Sequence, residues 1–377
     1  MPNIAKERKM EKHIVIISEQ LIPNFIPLYL NKEKINFVYI IATSQMKKKY
    51  EIFAQICSTY NWKCQKIEVS SYNYPEIIEK LNKHIPQEEN LHFNLTGGTK
   101  MMTISAYEFC QKRKIRSLYV DTANQKILQI TPEFKETPLP DILDLENYLS
   151  LYGYKIKSKE TKKPEKKFLA SIPELLNIVC KNKNFFSILN YLSSQANNSN
   201  NKVMIKKNST YIKKQLSFLQ ERKMLNINKD TIIFTGEKER FFCNGGWLED
   251  YVFTCLLELK EEIGIKDLAK NIKVVDLEEN KNELDIAFCI KNKLYIIECK
   301  TTKKTDFESS KKPLKTDVDY LYKLESIKNK VAGIYGYPIF IGLHTSDNLI
   351  QRARSWGIRI ISDKKLKNLK EEIKKLL

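Results

Sequence analysis

Five short apolar runs, His13 to Ile17, Phe37 to Ile41, Gln65 to Val69, Leu91 to Leu95 and Ser117 to Val120, alternate with helical stretches over residues 12 to about 130. His13 to Ile17 and Phe37 to Ile41 run without the polar alternation of a half-exposed strand, so both faces of the sheet around them must be covered. A mostly parallel sheet with helices on both sides meets that demand. A last pair, Arg116 to Asp121 and Lys126 to Thr131 around Ala123-Asn124-Gln125, reads as a hairpin that closes the sheet. The expected fold of residues 1–154 is therefore a Rossmann-like α/β domain.

In such a sheet the ligand crevice lies at the carboxyl ends of the strands, and a helix N-terminus there offers free amides to a phosphate. The segment Asn94-Leu95-Thr96-Gly97-Gly98-Thr99-Lys100-Met101-Met102 leaves the fourth strand and enters a helix. Gly97 and Gly98 allow close backbone approach, Thr96 and Thr99 offer hydroxyls, and Lys100 adds charge. It is not a Walker loop, because the required spacing is absent. Ser18, Gln20 and Asn24 follow the first strand, and Thr43 and Ser44 follow the second. Each segment alone reads as an ordinary capped turn; three on one edge predict a ligand site.

Residues 155–240 open with lysines at 155, 157, 159, 162, 163, 166 and 167, expected to form a linker. They continue as a small helical module: a helix around Phe185 to Ser194, the polar segment Asn197 to Asn201, a helix Ser209 to Lys223, then strands at Met224 to Ile227 and Thr231 to Phe234. A helix followed by a two-stranded wing is winged-helix-like, an architecture that serves either as a DNA reader or as a spacer. Residues 241–377 run helix, strand hairpin, helix, strand, helix, strand and a terminal basic helix.

The hairpin carries the chemistry. Asp285-Ile286-Ala287-Phe288 and Lys293 to Lys300 are strands joined by a tight turn at Lys291-Asn292. Side chains alternate along a strand, so Glu298 and Lys300 share a face and Cys299 points into the core. Asp285 heads the paired strand and reaches the same point, with Glu283 two residues before it. Mg²⁺ or Mn²⁺ prefers such oxygen ligands, and a lysine beside them positions water or neutralises a phosphate. An isolated Glu-x-Lys is a common surface pair. The upstream helix starting at Gly245-Gly246-Trp247-Leu248-Glu249 supplies a further acid and shifts the balance toward a site.

The chain has 377 residues and a formal net charge of +19, which points to a polyanionic partner such as nucleic acid. Its charged first residues, Met1 to Lys9, and the lack of any apolar segment of spanning length predict a cytoplasmic protein with no membrane partner. The eight cysteines show no metal-type spacing and read as buried thiols. The four histidines are scattered, and no zinc site is expected.

The order Glu249, Asp285, Glu298-x-Lys300 resembles the PD-(D/E)XK nuclease superfamily, as in restriction enzymes and archaeal Holliday-junction resolvases. That resemblance implies a restriction-endonuclease-like fold for residues 241–377, with Asp285 and Glu298 as ligands of Mn²⁺ or Mg²⁺. It also implies Cys299 at the metal position between them, Lys300 as catalytic and Glu249 as accessory acid. The turn Asn94 to Met102, with Tyr119 to Thr122 and Asp144 to Gly153, resembles the CARF domain, in which a dimer binds a cyclic oligoadenylate across its two-fold axis. Together the two parts resemble the CARF-fused PD-(D/E)XK ancillary nucleases of type III CRISPR systems, activated by cyclic tetra-adenylate and cleaving DNA and RNA. The implied ligand-binding residues are Ser18, Gln20, Asn24, Thr43, Ser44, Asn94, Thr96, Gly97, Gly98, Thr99, Lys100 and Met101, and the implied assembly is a homodimer. Lys323 and Glu325 lie on the helix after the catalytic strands, facing substrate or forming a surface pair. The lysines at 303, 304, 311, 312 and 315 read as a phosphate-holding or merely solvated loop. Two other readings stay open: a ligand-sensing transcription regulator, which leaves Glu298 and Lys300 without a role, and a constitutive restriction or repair endonuclease, which leaves the Thr-Gly-Gly-Thr-Lys turn unexplained.

Overall fold

The apolar runs of the N-terminal part become a seven-stranded sheet in a computed structural model that describes residues 10–181, 183–197, 200–205, 209–301, 317–343 and 345–377. Its strands are β1 (Glu11–Ile16), β2 (Ile35–Ala42), β3 (Lys63–Glu68), β4 (Leu91–Asn94), β5 (Arg116–Asp121), β6 (Lys126–Thr131) and β7 (Lys135–Pro138). They lie in the order β3-β2-β1-β4-β5-β6-β7, parallel through β5, with β6 and β7 antiparallel. The chain winds one way from β1 to β3, then returns to place β4 on the other side of β1. The exits of β2, β1 and β4 therefore lie side by side, and the reversal between β1 and β4 opens a crevice. One face is sealed by helices Tyr74–His84 and Lys100–Arg113, whose Ile77, Leu81, Met102, Ala106 and Phe109 pack on Ile14, Ile16, Ile41 and Phe93. The exposed strand β7, all of whose residues are exposed, was not legible as a strand.

The chain divides into two units, Met1–Lys155 and Ile156–Leu377. The second holds a six-stranded sheet ordered β16-β15-β14-β13-β12-β8, made of β8 (Lys155–Glu160), β12 (Asp267–Val275), β13 (Lys281–Ile290), β14 (Lys293–Lys300), β15 (Gly336–Gly342) and β16 (Arg359–Ser362). It also holds a three-stranded sheet of β9 (Lys202–Met204), β10 (Leu225–Asn228) and β11 (Thr231–Phe234), ordered β10-β11-β9. Two expectations need correction. Lys155–Glu160 is not a linker but the edge strand β8, where a row of lysines is tolerated because one side of an edge strand faces water. Residues 267–275 form β12, absent from the expected element order, because its Lys270 and Asn271 interrupt the apolar pattern. The small sheet and its helices share one apolar core with the six-stranded sheet: Phe186, Leu189, Leu219 and Ile232 belong to the same buried cluster as Trp247, Ile297 and Ile339.

Readings placed on Met1 to Lys9, on Asn198 and Ser199, on the lysines at 303, 304, 311, 312 and 315, and on His344 lie outside the described residues. Cys57, Cys64, Cys110, Cys243, Cys255, Cys289 and Cys299 are free thiols. Among the described residues no helix is long and apolar enough to cross a membrane.

One buried ion pair ties the edge of the larger sheet to its principal helix, Trp247–Ile263. Lys270 of β12 is 8% exposed and its ammonium meets the carboxylate of Asp250, 9% exposed, while Glu160 of β8 lies 3.5 Å away. Removing one partner strands the other charge in the core, whereas replacing both with apolar groups does not. Lys270→Met is expected to cost about 3–5 kcal/mol, and Lys270→Met with Asp250→Leu to recover most of that loss. Urea unfolding of the three proteins, followed by tryptophan fluorescence, checks both outcomes.

Candidate functional site

β13 and β14 are joined at Lys291 and Asn292, whose φ values of 51° and 58° give the left-handed pair that a two-residue hairpin turn requires. From that turn the ladder runs to Ile286 opposite Ile297 and stops there. On the other side, pairing with β12 skips Asp285 and Asn271, the latter at φ 49°. Asp285 thus leaves the ladder on both sides, and its carboxylate crosses to accept a hydrogen bond from the Cys299 N–H at 2.8 Å. Alternation puts Ile297 and Cys299 in the core and turns Glu298 and Lys300 toward Asp285.

The Lys300 ammonium stands 2.7 Å from Glu298 Oε1 and 3.5 Å from Asp285 Oδ2. Lys323, on helix Asp317–Val331, approaches both Glu298 oxygens at 3.4 Å. Glu298 itself is 2% exposed. Burial, then the nearby charge of Asp285, raises the Glu249 carboxyl well above the usual range. Burial and the Glu298 charge raise Asp285, against the pull of Lys300 and the Cys299 amide. Burial works against a charge on Lys300, but Asp285 and Glu298 outweigh it and its pKa is raised. It remains an ammonium at neutral pH. The Cys299 thiol is pushed up by burial, so its main chain, and not its sulfur, is what stands beside the acids.

Among the described residues no three His, Cys, Asp or Glu side chains converge into a closed metal cage. An ion of the Mg²⁺ kind does not need one, since it is held through one or two carboxylates and keeps several waters. The acids fit such an ion: they are oxygen donors pressed together at a cost, and the one cation already between Asp285 and Glu298 is Lys300. Asp285, Glu298 and Lys300 are thus brought together, with Glu249 within electrostatic reach. Glu283 is exposed and stands apart from this contact set.

The N-terminal edge is built more tightly than its sequence suggests. A Cβ at Gly97 would stand 1.9 Å from the Ile16 carbonyl, so the turn lies directly on β1, and Gly98 takes φ +84°. Asn24 donates to the Ile16 carbonyl at 2.7 Å, and Asn94 donates to the Pro23 carbonyl at 2.8 Å while accepting from the Thr96 amide and hydroxyl. Thr96 Oγ1 also accepts from the Val120 N–H at 2.8 Å. Thr99 caps helix Lys100–Arg113, accepting from the Met102 N–H and donating to the Ser71 carbonyl at 2.5 Å. These four side chains hold the crevice together. Thr43 is buried; Gly98, Lys100 and Ser44 are exposed, and Ser18, Gln20 and Met101 are half-buried on the same edge.

Several supporting residues were not found by sequence reasoning. Tyr152 donates its hydroxyl to Gln20 Oε1 at 2.8 Å. Asn190, from helix Lys183–Ala196, donates to Thr301 Oγ1 at 2.8 Å and so braces the end of β14. Tyr320 lies under the Lys300 ammonium at 5.0 Å. Two left a signal: Tyr152 falls within the segment Asp144 to Gly153, and Tyr320 is three residues before Lys323, one turn away on the same helix face.

Two family models match the chain, the Card1 CARF domain over residues 12–148 and the Card1-like endonuclease domain over residues 236–376. A search of curated protein sequences found no match. Among solved structures, Can2 from Sulfobacillus thermosulfidooxidans, in complex with cyclic tetra-adenylate, superposes with a TM-score of 0.81 and 25% identity, over 97% of this chain and 99% of that one. Protein VC1899 from Vibrio cholerae superposes with a TM-score of 0.81 and 23% identity, over 97% of each chain. A type III CRISPR defence DNA nuclease activated by cyclic oligoadenylate shares the fold at a TM-score of 0.57 and 16% identity, over 98% of this chain and 52% of that one. With a CARF domain at one end and a nuclease domain carrying the Asp285, Glu298 and Lys300 cluster at the other, the chain belongs to the Card1-type CARF nucleases.

Proposed function

We propose that this protein is a nuclease switched on by cyclic tetra-adenylate, which hydrolyses DNA, RNA or both in type III CRISPR antiviral defence with Mn²⁺ or Mg²⁺ as cofactor. The observation that carries the reading is the placement of Lys300, 2.7 Å from Glu298 and 3.5 Å from Asp285, in a chain whose other domain is a Card1 CARF domain. The cyclic tetra-adenylate of the Can2 complex is the activator this chain takes by analogy. A ring of repeated nucleotides has rotational symmetry that a two-fold interface matches, so the active form is a homodimer. Residues 1–154 sense the ring, the small helical module within residues 161–240 acts as spacer and dimer support, and residues 241–377, with the edge strand β8, cut, all in the cytoplasm.

Asp285 and Glu298 hold the ion, with the Cys299 main chain beside it and Glu249 as accessory acid. A bound divalent ion supplies Lewis acidity toward the scissile phosphate and lowers the pKa of an attacking water. Lys300, held as an ammonium, does not take a proton; it orients the water and neutralises charge that builds on phosphate oxygens. Lys323 adds a second positive charge against Glu298. On the sensor edge, the amides of Gly98 to Met101 and the Lys100 ammonium meet ring phosphates. Ser18, Gln20 and Ser44 line the crevice, while Asn24, Thr43, Asn94, Thr96 and Thr99 set its shape.

Cleavage of single-stranded DNA and RNA, assayed with and without Mn²⁺ and with and without cyclic tetra-adenylate, tests the whole reading; activity independent of the ring removes the sensor role. Glu298→Ala and Asp285→Ala should each abolish cleavage, as should chelation, while ring binding by calorimetry and sedimentation of the dimer stay unchanged. Lys300→Ala should lose at least about a hundredfold in turnover, the scale of removing one transition-state donor, and keep metal binding. Weak Mn²⁺ binding with normal turnover contradicts that role.

Lys100→Ala is the clean test of the sensor, because Thr99→Ala also removes a helix cap worth about 1 kcal/mol. One charge-assisted bond per protomer contributes roughly 1.5–3 kcal/mol, and symmetry doubles it. The activation curve of Lys100→Ala should therefore move to ligand concentrations at least about a hundredfold higher. An unmoved curve means that this turn is structural.

A further inference from the structure

Strand β16 is the edge of the six-stranded sheet, and its outer side has no strand partner among the described residues. A cavity of about 950 Å³ runs along that side, lined from both faces of the strand. Its size and mixed lining are those of a small-molecule pocket. Val179, Ile350, Ile358 and Leu376 give it apolar walls. Arg354 and Arg359 stand where the strand begins, and Ser362 and Asp363 where it ends, beside Thr345. From Arg359 to Asp363 the strand rises roughly 13 Å.

Arg359 resists the ordinary explanations of a surface cation. Charged side chains on an edge strand keep other strands away, and a cation in the last turn of a helix is favoured by the helix dipole. The second reason suffices for Arg354, exposed at the end of helix Asp347–Ser355. Arg359 is half-buried instead. Its guanidinium lies 5.4 Å over the Tyr337 ring, its Nη1 is fully buried without an acceptor, and among the described residues no carboxylate pairs with it. A charge taken from water and left without a counter-charge costs stability. An anion in the adjoining cavity supplies that counter-charge.

At the other end the lining changes character. Thr345 Oγ1 and Ser362 Oγ are hydrogen-bonded at 2.7 Å, and an Asp363 carboxylate oxygen lies 3.5 Å from Thr345 Oγ1. Carboxylate and hydroxyl oxygens accept from hydroxyl and amino groups, and a carboxylate repels a second phosphate. A ligand that is anionic at one end, apolar along its length and rich in donors at the other has the chemistry of a nucleoside phosphate. A lipid phosphate lacks the donors.

We propose that the groove beside β16 binds a nucleoside phosphate, with its phosphate on Arg359 and Arg354 and its nucleoside between the apolar walls and Asp363. A free mononucleotide and the phosphorylated end of a strand share this chemistry. The site is separate from the catalytic cluster: Ser362 is in register with Gly342 and Lys300, two strand spacings or about 10 Å away along the sheet.

The test titrates adenosine 5′-monophosphate into the full-length protein, with EDTA present to keep divalent ions from the nuclease cluster, and reads binding by calorimetry. Arg359→Met should weaken binding about tenfold or more, the scale of one charge-assisted hydrogen bond. Arg352→Met, on the same helix as Arg354 but outside the groove, should bind as the parent does. Adenosine and inorganic phosphate, each making part of the contacts, should each bind at least about tenfold more weakly than the nucleotide. The nucleotide should raise the melting temperature of the parent and not that of Arg359→Met. If Arg359→Met fails to fold, Arg354→Ala, at an exposed position, carries the same expected loss. A 5′-phosphorylated oligoadenylate and its unphosphorylated twin separate the sources: an Arg359-dependent preference for the phosphorylated strand over the mononucleotide assigns the strand end, and the reverse preference assigns the free nucleotide. No binding, binding unchanged in Arg359→Met, binding lost in Lys100→Ala instead, or equal affinity for inorganic phosphate overturns the site. Because no turnover is read, such a result leaves the nuclease reading standing, and a lack of ring-dependent cleavage leaves the groove standing.

Discussion

The larger unit is organised around the cost of placing carboxylates at the margin of a core. Asp285 and Glu298 are forced together by the end of a β-ladder, Glu249 adds a third acid from a helix, and each loses hydration by being there. Lys300 offsets that repulsion from within the same strand, and Lys323 offsets it from a helix that arrives later in the chain. Without those two ammonium groups the acids would have to separate or take up protons, and the geometry that suits a divalent ion would not persist. The site is poised in a physical sense: its anionic oxygens are already desolvated, and part of the reorganisation a metal ion would require has been met by folding.

Holding the acids in place draws on residues far outside the motif. Asn190 reaches from the small helical module to Thr301, immediately after Lys300, so a part of the chain that reads as a spacer fixes the end of β14. The Lys270 and Asp250 pair fixes the opposite side, setting the first turn of the helix that carries Glu249. The edge strand β8 adds Glu160 to this pair. Lys155, where the two units divide, is already the first residue of β8.

What the sequence made legible follows from range. The hairpin of β13 and β14, the alternation that puts Glu298 and Lys300 on one face, and the parallel sheet of the sensor are all local patterns; β14 keeps its expected bounds, while β13 begins four residues earlier, at Lys281. Hidden features depend on contacts between distant segments. His13 and His92 stack with centroids 4.9 Å apart, with Glu11 near both, only because β1 and β4 are neighbours; as letters they are scattered histidines. The lysines of Lys155–Glu160 suggest a solvated linker, and only the open side of β12 turns them into a strand. Asp285 illustrates both sides: its identity was legible, but not its escape from the ladder or its bond to the Cys299 amide.

The sensor edge sets a constraint on how a ring could signal. Asn94, Thr96, Thr99 and the Asn24 amide nitrogen are engaged in internal hydrogen bonds, so the chain's own contacts shape the crevice and most of these polar groups are not left for a ligand. What is left to meet an anion is the free amides at the start of helix Lys100–Arg113, the Lys100 ammonium, and a few short polar groups. Shifting a two-state protein from about 1% to about 99% active requires a preference of roughly 5.5 kcal/mol for the active state. A rigid crevice in one protomer, binding alike in both states, supplies none of it, however tightly the ring is held. Under the proposed function the preference must therefore come from the ring touching two crevices at once, which makes the distance between protomers, and not the shape of either crevice, the quantity that the ligand selects.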